Sequence, residues 1–399
     1  HMHPRKTASD RQVVLLNFSA MAQHGVILLL VGPMVPSIMS TFGIGESMAG
    51  VLLGMGSLGF MIGPLLAGAI IDRVNARAAM VVGLAVELLA LMLFGASPVL
   101  VLAMAANLVL HFGASFVETT ANVMPTLTRT KGSEHSVMNL VHMFFSVGAF
   151  AGPFLIGLYL GATGRWRPIL FFTLIPTGAL LLWALRIRFP ARPESASGES
   201  KPSRRAAAKE VIAIVRMPHV AFGALTLLLY VGAEVGVSSW VVYYLQRKLE
   251  LSAVASASGL SILWIAIMAG RYLNSVLGNR LSSGLLVTAS GIAGFAGTVV
   301  FLFVQSLVAA YLVLIWIGLC LAGVFPNVMA SLNNRVPQKT GTVTAVMSIG
   351  AAIGAGLFQW IVGLIAETVG LTAAFVTPAV LQLLFVLTFA LALRSRPAH

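Results

Sequence analysis

The sequence is short of charge. Only 9% of its 399 residues are Asp, Glu, Lys or Arg, against 58% hydrophobic, where a soluble domain carries about 25% charged and 45–50% apolar residues. So few charges cannot cover a water-facing surface, whereas a lipid-facing one has to be apolar. Cysteine is almost absent: Cys320 stands alone, which excludes an internal disulfide. The patterns H-E-x-x-H, G-x-S-x-G and C-x-x-C and the P-loop are missing, so nothing points to an embedded enzyme, a metal or another cofactor. Acidic residues are scarce as well, 12 against 25 Lys and Arg, for a net charge of +13. That balance does not indicate nucleic acid. The basic residues fall between apolar runs, and no basic groove is interleaved with aromatics.

What is present is a succession of long apolar runs, with a mean hydropathy of +0.94. A spanning helix needs about 20 mostly apolar residues. Such runs occupy 12–40, 47–71, 76–95, 98–127, 134–161 and 167–188, then 218–246, 253–277, 284–304, 306–333, 339–367 and 371–394. The first run is too long for a cleavable signal peptide, and a second follows at once. Between the two sets, 189–216 is rich in Pro, Ser, Arg and Lys and reads as a solvated linker. The expectation is an all-α membrane protein of twelve transmembrane helices in two pseudo-symmetric lobes, 1–188 and 217–399, joined by that linker.

The charges test this count. With the N-terminus inside, 20 of the 25 Lys and Arg fall on the side of the termini and linker, and Arg165, Arg167, Arg247 and Lys248 on the other. Arg271 is left within the eighth span. A miscounted span would scramble this sorting. The positive-inside rule therefore places both termini in the cytoplasm of a multi-pass protein of the cell inner membrane. An internal repeat agrees. Asn122-Val123-Met124-Pro125-Thr126-Leu127 recurs as Asn327-Val328-Met329-Ala330-Ser331-Leu332, late in the fourth span of each half. The fifth spans share a Gly-x-x-x-Gly step, Gly148 with Gly152 and Gly350 with Gly354, a spacing that lets membrane helices approach closely. Parallel six-span repeats are the pattern of a two-lobed transporter.

Between spans two and three stands Gly68-Ala-Ile-Ile-Asp72-Arg73-Val-Asn75-Ala-Arg77. It resembles the loop motif G-x-x-x-D-R-x-G-x-(R/K) of the major facilitator superfamily, with Asn75 at the second glycine, where Asn also tolerates a left-handed turn. The resemblance implies the major facilitator fold and a conformational lock formed by Gly68, Asp72, Arg73 and Arg77. Within the superfamily, three stretches are similar to the fucose:proton symporter and related sugar porter families. They are Phe116-Val-Glu118-Thr119-Thr120-Ala121-Asn122, Tyr230-Val-Gly-Ala-Glu234 through Trp240, and Gly323-Val-Phe325-Pro326-Asn327. That likeness implies a monomeric secondary transporter using alternating access, with proton-coupled symport of a sugar or similar small polar solute. The first span departs from the symporters: it holds Gln23 and His24 and no acidic residue.

Ionisable groups within spans are costly and mark functional positions by default. Glu118 leads, because the families it resembles use a carboxylate in span four for proton coupling. His24 is its partner candidate in place of the missing acid, since imidazole titrates near neutral pH. Sugars present hydroxyls and apolar C–H faces, which amides, imidazoles and aromatic rings suit. The candidate binding set is Gln23, Asn122, Asn139, His142, Glu234, Trp240, Trp264, Asn327 and Gln359. His111 lies two turns before Glu118 on the same helix face. Glu87 has no motif around it and reads as a packed, neutral or snorkelling group. The expected partners are a sugar, protons and the lipid bilayer. The alternative on the same fold is a proton-driven exporter or antiporter of amphiphilic drugs or lipids, which the departure in span one keeps open.

Overall fold

The computed structural model describes residues 8–127, 134–187, 189, 212–277, 280–336 and 339–395, without the side chains of 8–10, 125–127 and 134–139. Most of the 189–216 linker and the side chain of Asn139 thus lie outside the described residues. The described residues are helices joined by short turns. In order, the helices are α1 (Ala8–Leu28), α2 (Val31–Phe42), α3 (Glu46–Arg73), α4 (Ala76–Ala96), α5 (Leu100–Leu127), α6 (Glu134–Thr163) and α7 (Arg167–Arg186). The second half adds α8 (Pro218–Lys248), α9 (Ala253–Leu277), α10 (Ser283–Phe301), α11 (Leu307–Leu321), α12 (Val324–Asn333), α13 (Thr340–Thr368), α14 (Leu371–Ala374) and α15 (Val376–Arg394). Among the described residues they make twelve segments long and apolar enough to cross a membrane, at the places where the sequence has its apolar runs. The protein is a multi-pass membrane protein.

Three spans are each built from two helices, and a proline stands shortly after each break. Pro33 follows the break between α1 and α2, Pro326 the break between α11 and α12, and Pro378 the break between α14 and α15. A proline ring has no N–H and collides with the carbonyl four residues earlier. Those carbonyls belong to Leu29, Ala322 and Ala374, at or beside each interruption. At the second break Asn327 reaches the carbonyl of Gly323 twice, through its backbone N–H at 3.2 Å and through Nδ2 at 2.7 Å.

By contacts the chain divides into two units. One comprises His1–Gly43 and Met55–Gly198, the other Ile44–Gly54 and Glu199–His399. In the first unit, α6 lies along α1 through the Gly-x-x-x-Gly step. A methyl group added at Gly148 would stand 1.8 Å from the carbonyl oxygen of Ala22, and one at Gly152 3.2 Å from Cα of Val26. In the second unit α13 lies along α8 in the same way. A methyl at Gly350 would meet the carbonyl oxygen of Ala224 at 2.6 Å, and one at Gly354 that of Leu228 at 2.0 Å. The same sequence offset relates both glycines and both backbone partners, so the repeat read from sequence is also a repeat of packing. Lipid offers no hydrophobic drive between helices, and close backbone approach is what such seams supply instead.

Arginines tie down two helix ends. Arg77 donates through Nε to the carbonyl of Ala184 at 3.0 Å and through its terminal nitrogen to that of Leu185, at the end of α7. Arg335 reaches the carbonyls of Ala392 at 3.0 Å, Leu393 at 2.6 Å and Ser395 at 3.1 Å, at the end of α15. The last carbonyls of a helix have no partner within it and carry the negative end of its dipole. The left-handed turn expected at Asn75 is a correction. Its φ of 179° and ψ of 169° are extended backbone, and its Oδ1 accepts from the N–H of Ala78 at 2.8 Å. Asn replaces glycine here as the N-cap of α4, a position that takes β-region backbone.

Candidate functional site

In the first unit the candidates gather on α1, α5 and α6. Gln23 is buried and donates from Nε2 to the hydroxyl of Thr177 on α7 at 2.8 Å. Thr177 in turn donates to the carbonyl of Thr173 at 2.9 Å. The next residue, His24, is 1% exposed. Its ring lies 6.0 Å from that of Phe60 and 5.7 Å from that of Phe145, and its Nδ1 is buried without a hydrogen-bond partner among the described residues. His111 on α5 and His142 on α6 both act on it electrostatically.

The tautomer of His111 follows from its contact. Nδ1 stands 3.0 Å from the carbonyl oxygen of Asn107. A carbonyl only accepts, so Nδ1 carries the hydrogen and Nε2 of the neutral ring is left as the basic nitrogen. Two turns further along α5 comes Glu118, half-buried, and no hydrogen bond or ion pair among the described residues reaches it. One turn beyond, Asn122 has a buried Oδ1 without a partner among the described residues. Spacings of seven and four residues put His111, Glu118 and Asn122 on one face. A carboxyl group and an amide oxygen without partners among the described residues can accept hydrogen bonds from a ligand. His142 is exposed, and its backbone carbonyl accepts from the hydroxyl of Ser146 at 3.1 Å.

In the second unit α8 carries the polar groups. Tyr230 places its hydroxyl 3.0 Å from Oε1 of Glu234 and 2.9 Å from the carbonyl oxygen of Leu321. Glu234 is 9% exposed, and Arg271 on α9 acts on it electrostatically. The other candidates already have partners. Trp240 is 0% exposed and gives its indole N–H to the carbonyl of Gln359 at 3.0 Å. Gln359 donates from Nε2 to the hydroxyl of Ser239 at 2.9 Å. Asn327 donates to Oδ1 of Asn274 at 3.4 Å as well as to Gly323. Trp264 is buried on α9. The lock residues stand at the end of α3: Asp72 and Arg73 are exposed, Gly68 has open space where a side chain would be, and Arg77 holds α7.

Three participants were not among the sequence candidates. Thr177 gave no signal, since a threonine in an apolar run is ordinary. Tyr230 stands one turn before Glu234 and was quoted only for its motif. Arg271 was visible as a cation away from the ends of the apolar runs, but its action on Glu234 needs the third dimension.

The profile described as Major Facilitator Superfamily matches residues 13–359. A Brucella abortus protein described as a glucose/galactose transporter is 24% identical over 337 residues, covering 80% of this chain and 79% of that one. Two Helicobacter pylori relatives match over 65% and 36% of their own lengths, so the chain spans less than two thirds of each. Among solved structures, the nucleoside transporter NupG superposes with a TM-score of 0.83 at 14% identity, covering 96% of this chain and 100% of that one. The Escherichia coli fucose:proton symporter FucP superposes with a TM-score of 0.65 at 18% identity, covering 96% and 99%. At such identities the structures speak for the fold.

Proposed function

Because the chain belongs to the major facilitator superfamily, we propose that it is a secondary transporter of a hexose or similar small polar solute, coupled to protons. The observation that carries the substrate class is the Brucella relative, described as a glucose/galactose transporter and matched over most of both chains. The chemistry of the first unit supports it. A half-buried carboxyl without a partner among the described residues, a buried amide oxygen and an exposed imidazole suit a ligand that both donates and accepts many hydrogen bonds.

In this reading Glu118 carries the coupling proton and exchanges it with His24 through the histidine cluster. Asn122, Asn139 and His142 bind hydroxyls in the first half. Glu234, Asn327, Gln359 and the indole of Trp264 serve binding in the second, and Trp240 acts behind them by holding the backbone at Gln359. The halves 1–188 and 217–399 alternate access, with Gly68, Asp72, Arg73 and Arg77 locking one state. The protein acts as a monomer in the cell inner membrane, with both termini in the cytoplasm. A ligand drives this cycle only by binding one state better than the other.

Proteoliposomes holding an internal pH dye test it, with Glu118→Gln as the paired variant. Addition of one member of a hexose panel acidifies the lumen, and the signal is lost in the variant. Silence for every sugar, with a response to amphiphilic cations or lipids, would overturn the sugar reading in favour of the exporter. Sugar-dependent acidification that survives in the variant would move the coupling proton away from Glu118.

A further inference from the structure

The hydroxyl of Tyr230 faces two oxygens at hydrogen-bonding distance, 3.0 Å to Glu234 and 2.9 Å to the carbonyl of Leu321. It has one hydrogen to give. The carbonyl can only accept, so if Tyr230 donates to Leu321 its contact with Glu234 is a hydrogen bond only when the carboxyl group donates. An ionised Glu234 would claim the tyrosine hydrogen for itself. The hydroxyl and the carbonyl would then be left as two oxygens in contact with no hydrogen between them. Both contacts are satisfied together in one arrangement: Glu234 O–H to Tyr230 O, and Tyr230 O–H to Leu321 O. Leu321 is no ordinary acceptor. It is the last residue of α11, at the break before Pro326 that divides the tenth span.

We propose that Glu234 is a proton-binding site of the second unit, and that its proton is relayed as a hydrogen bond through Tyr230 to the break in the tenth span. Uptake of the proton turns the tyrosine hydroxyl toward Leu321 and anchors the end of α11 to α8. Release of the proton turns the hydroxyl back to the carboxylate and frees the carbonyl at the break.

The surroundings suit a group that changes charge. Phe385 on α15 packs edge-on against the Tyr230 ring at 5.7 Å, and Phe358 on α13 covers Gly232. The ionisable groups of α13 and α15 are Glu367 and Arg394, at or next to their helix ends, and α12 has none. On α11 the ionisable side chains are Tyr311 and Cys320. On α9 they are Arg271 and Tyr272, and Tyr272 is 72% exposed. Arg271 is the group among these that acts on Glu234. It balances the carboxylate when the proton leaves and stands as a lone cation when the proton is bound. A fixed cation beside a titrating acid gives the pair two states of different charge without moving a helix.

The inference takes its place in the cycle from the proton-coupled reading, but its test does not depend on any sugar. Difference infrared spectroscopy of the full chain in lipid nanodiscs reads protonated carboxyl groups directly. The expected result is a protonated-carboxyl band that disappears in Glu234→Gln and persists at a displaced frequency in Tyr230→Phe, which removes the acceptor. Glutamine keeps a donor toward Tyr230, so that variant retains the relay geometry. Should it fail to fold, Glu234→Asp retains the acid on a shorter arm and displaces the band instead of removing it. If no band depends on residue 234 at any pH where the protein is folded, the site is overturned while the sugar reading stands. If the band is lost in Glu234→Gln but unmoved in Tyr230→Phe, the relay to the tenth span is overturned.

Discussion

Replacing Gly148 by alanine tests how the first unit is held together. The added methyl carbon would stand 1.8 Å from the carbonyl oxygen of Ala22, where carbon and oxygen settle at about 3.3 Å. The obstacle is backbone in the middle of α1, so no side-chain rotation relieves it. The helices have to part by roughly 1.5 Å along the seam, and a gap of about 1 Å already forfeits up to half of the dispersion energy of each contact. Overpacking typically costs about 1–3 kcal/mol and sometimes more, and a rigid clash of this depth belongs at or above the top of that range. Gly354→Ala, with 2.0 Å to the carbonyl oxygen of Leu228, should behave alike, and Gly350→Ala, at 2.6 Å, less severely. Gly341→Ala is the control. It lies in the first turn of α13 with nothing within 4 Å, and alanine there gains up to about 1 kcal/mol of helix propensity. Thermal unfolding in detergent, followed by monodispersity, reads the series. The expected order of loss is Gly148 and Gly354, then Gly350, with Gly341 unharmed. A Gly148→Ala protein that melts with the wild type would refute the seam as the reason for the glycine step.

Two further outcomes follow from single contacts. Arg335→Ala strips three carbonyls at the end of α15 of their donor. Hydrogen bonds to a charged group are worth about 1.5–3 kcal/mol each when buried, less where water can substitute, so a loss of about 2 kcal/mol in unfolding stability is expected. Full stability in the variant would show that the carbonyls find water as easily. Trp240→Phe removes the indole donor from the carbonyl of Gln359 and should lower the melting temperature while leaving the KM for sugar unchanged, because the ring is fully enclosed. A raised KM at unchanged stability would instead put the indole against the substrate.

The fold was legible because the bilayer makes a severe demand. Every spanning segment must satisfy its backbone internally and be apolar for about 20 residues, so composition and length alone mark the twelve spans. The accumulation of Arg and Lys on one side gives their expected sidedness. The breaks near Leu29, Ala322 and Ala374 precede Pro33, Pro326 and Pro378, but Pro36, Pro64, Pro153 and Pro176 lie inside continuous helices, so proline by itself does not mark where a span divides. Asn75 was misread because its motif position suggested a glycine-like turn. Whether an asparagine takes the left-handed region or caps a helix depends on where α4 begins, and the motif does not say. The candidate polar residues were equally visible, because a charge or amide in an apolar run is conspicuous. Their partners were not. Gln23 meets Thr177 and Trp240 meets the carbonyl of Gln359 across more than a hundred residues of chain.

By itself, then, the sequence determined that this is an all-helical membrane protein of repeated halves with a few buried polar positions. Hydropathy, helix length and charge placement act along the chain and need no knowledge of neighbours. Only the tertiary structure decided what each of those positions does. Hydrogen-bond donors and acceptors are settled pairwise across helices. Glu118 is left without a hydrogen bond among the described residues, Trp240 is spent on backbone, and Glu234 shares a single tyrosine hydrogen with the break in the tenth span. That pairing depends on the rotation and depth of helices far apart in the chain, which hydropathy and spacing along one helix do not fix.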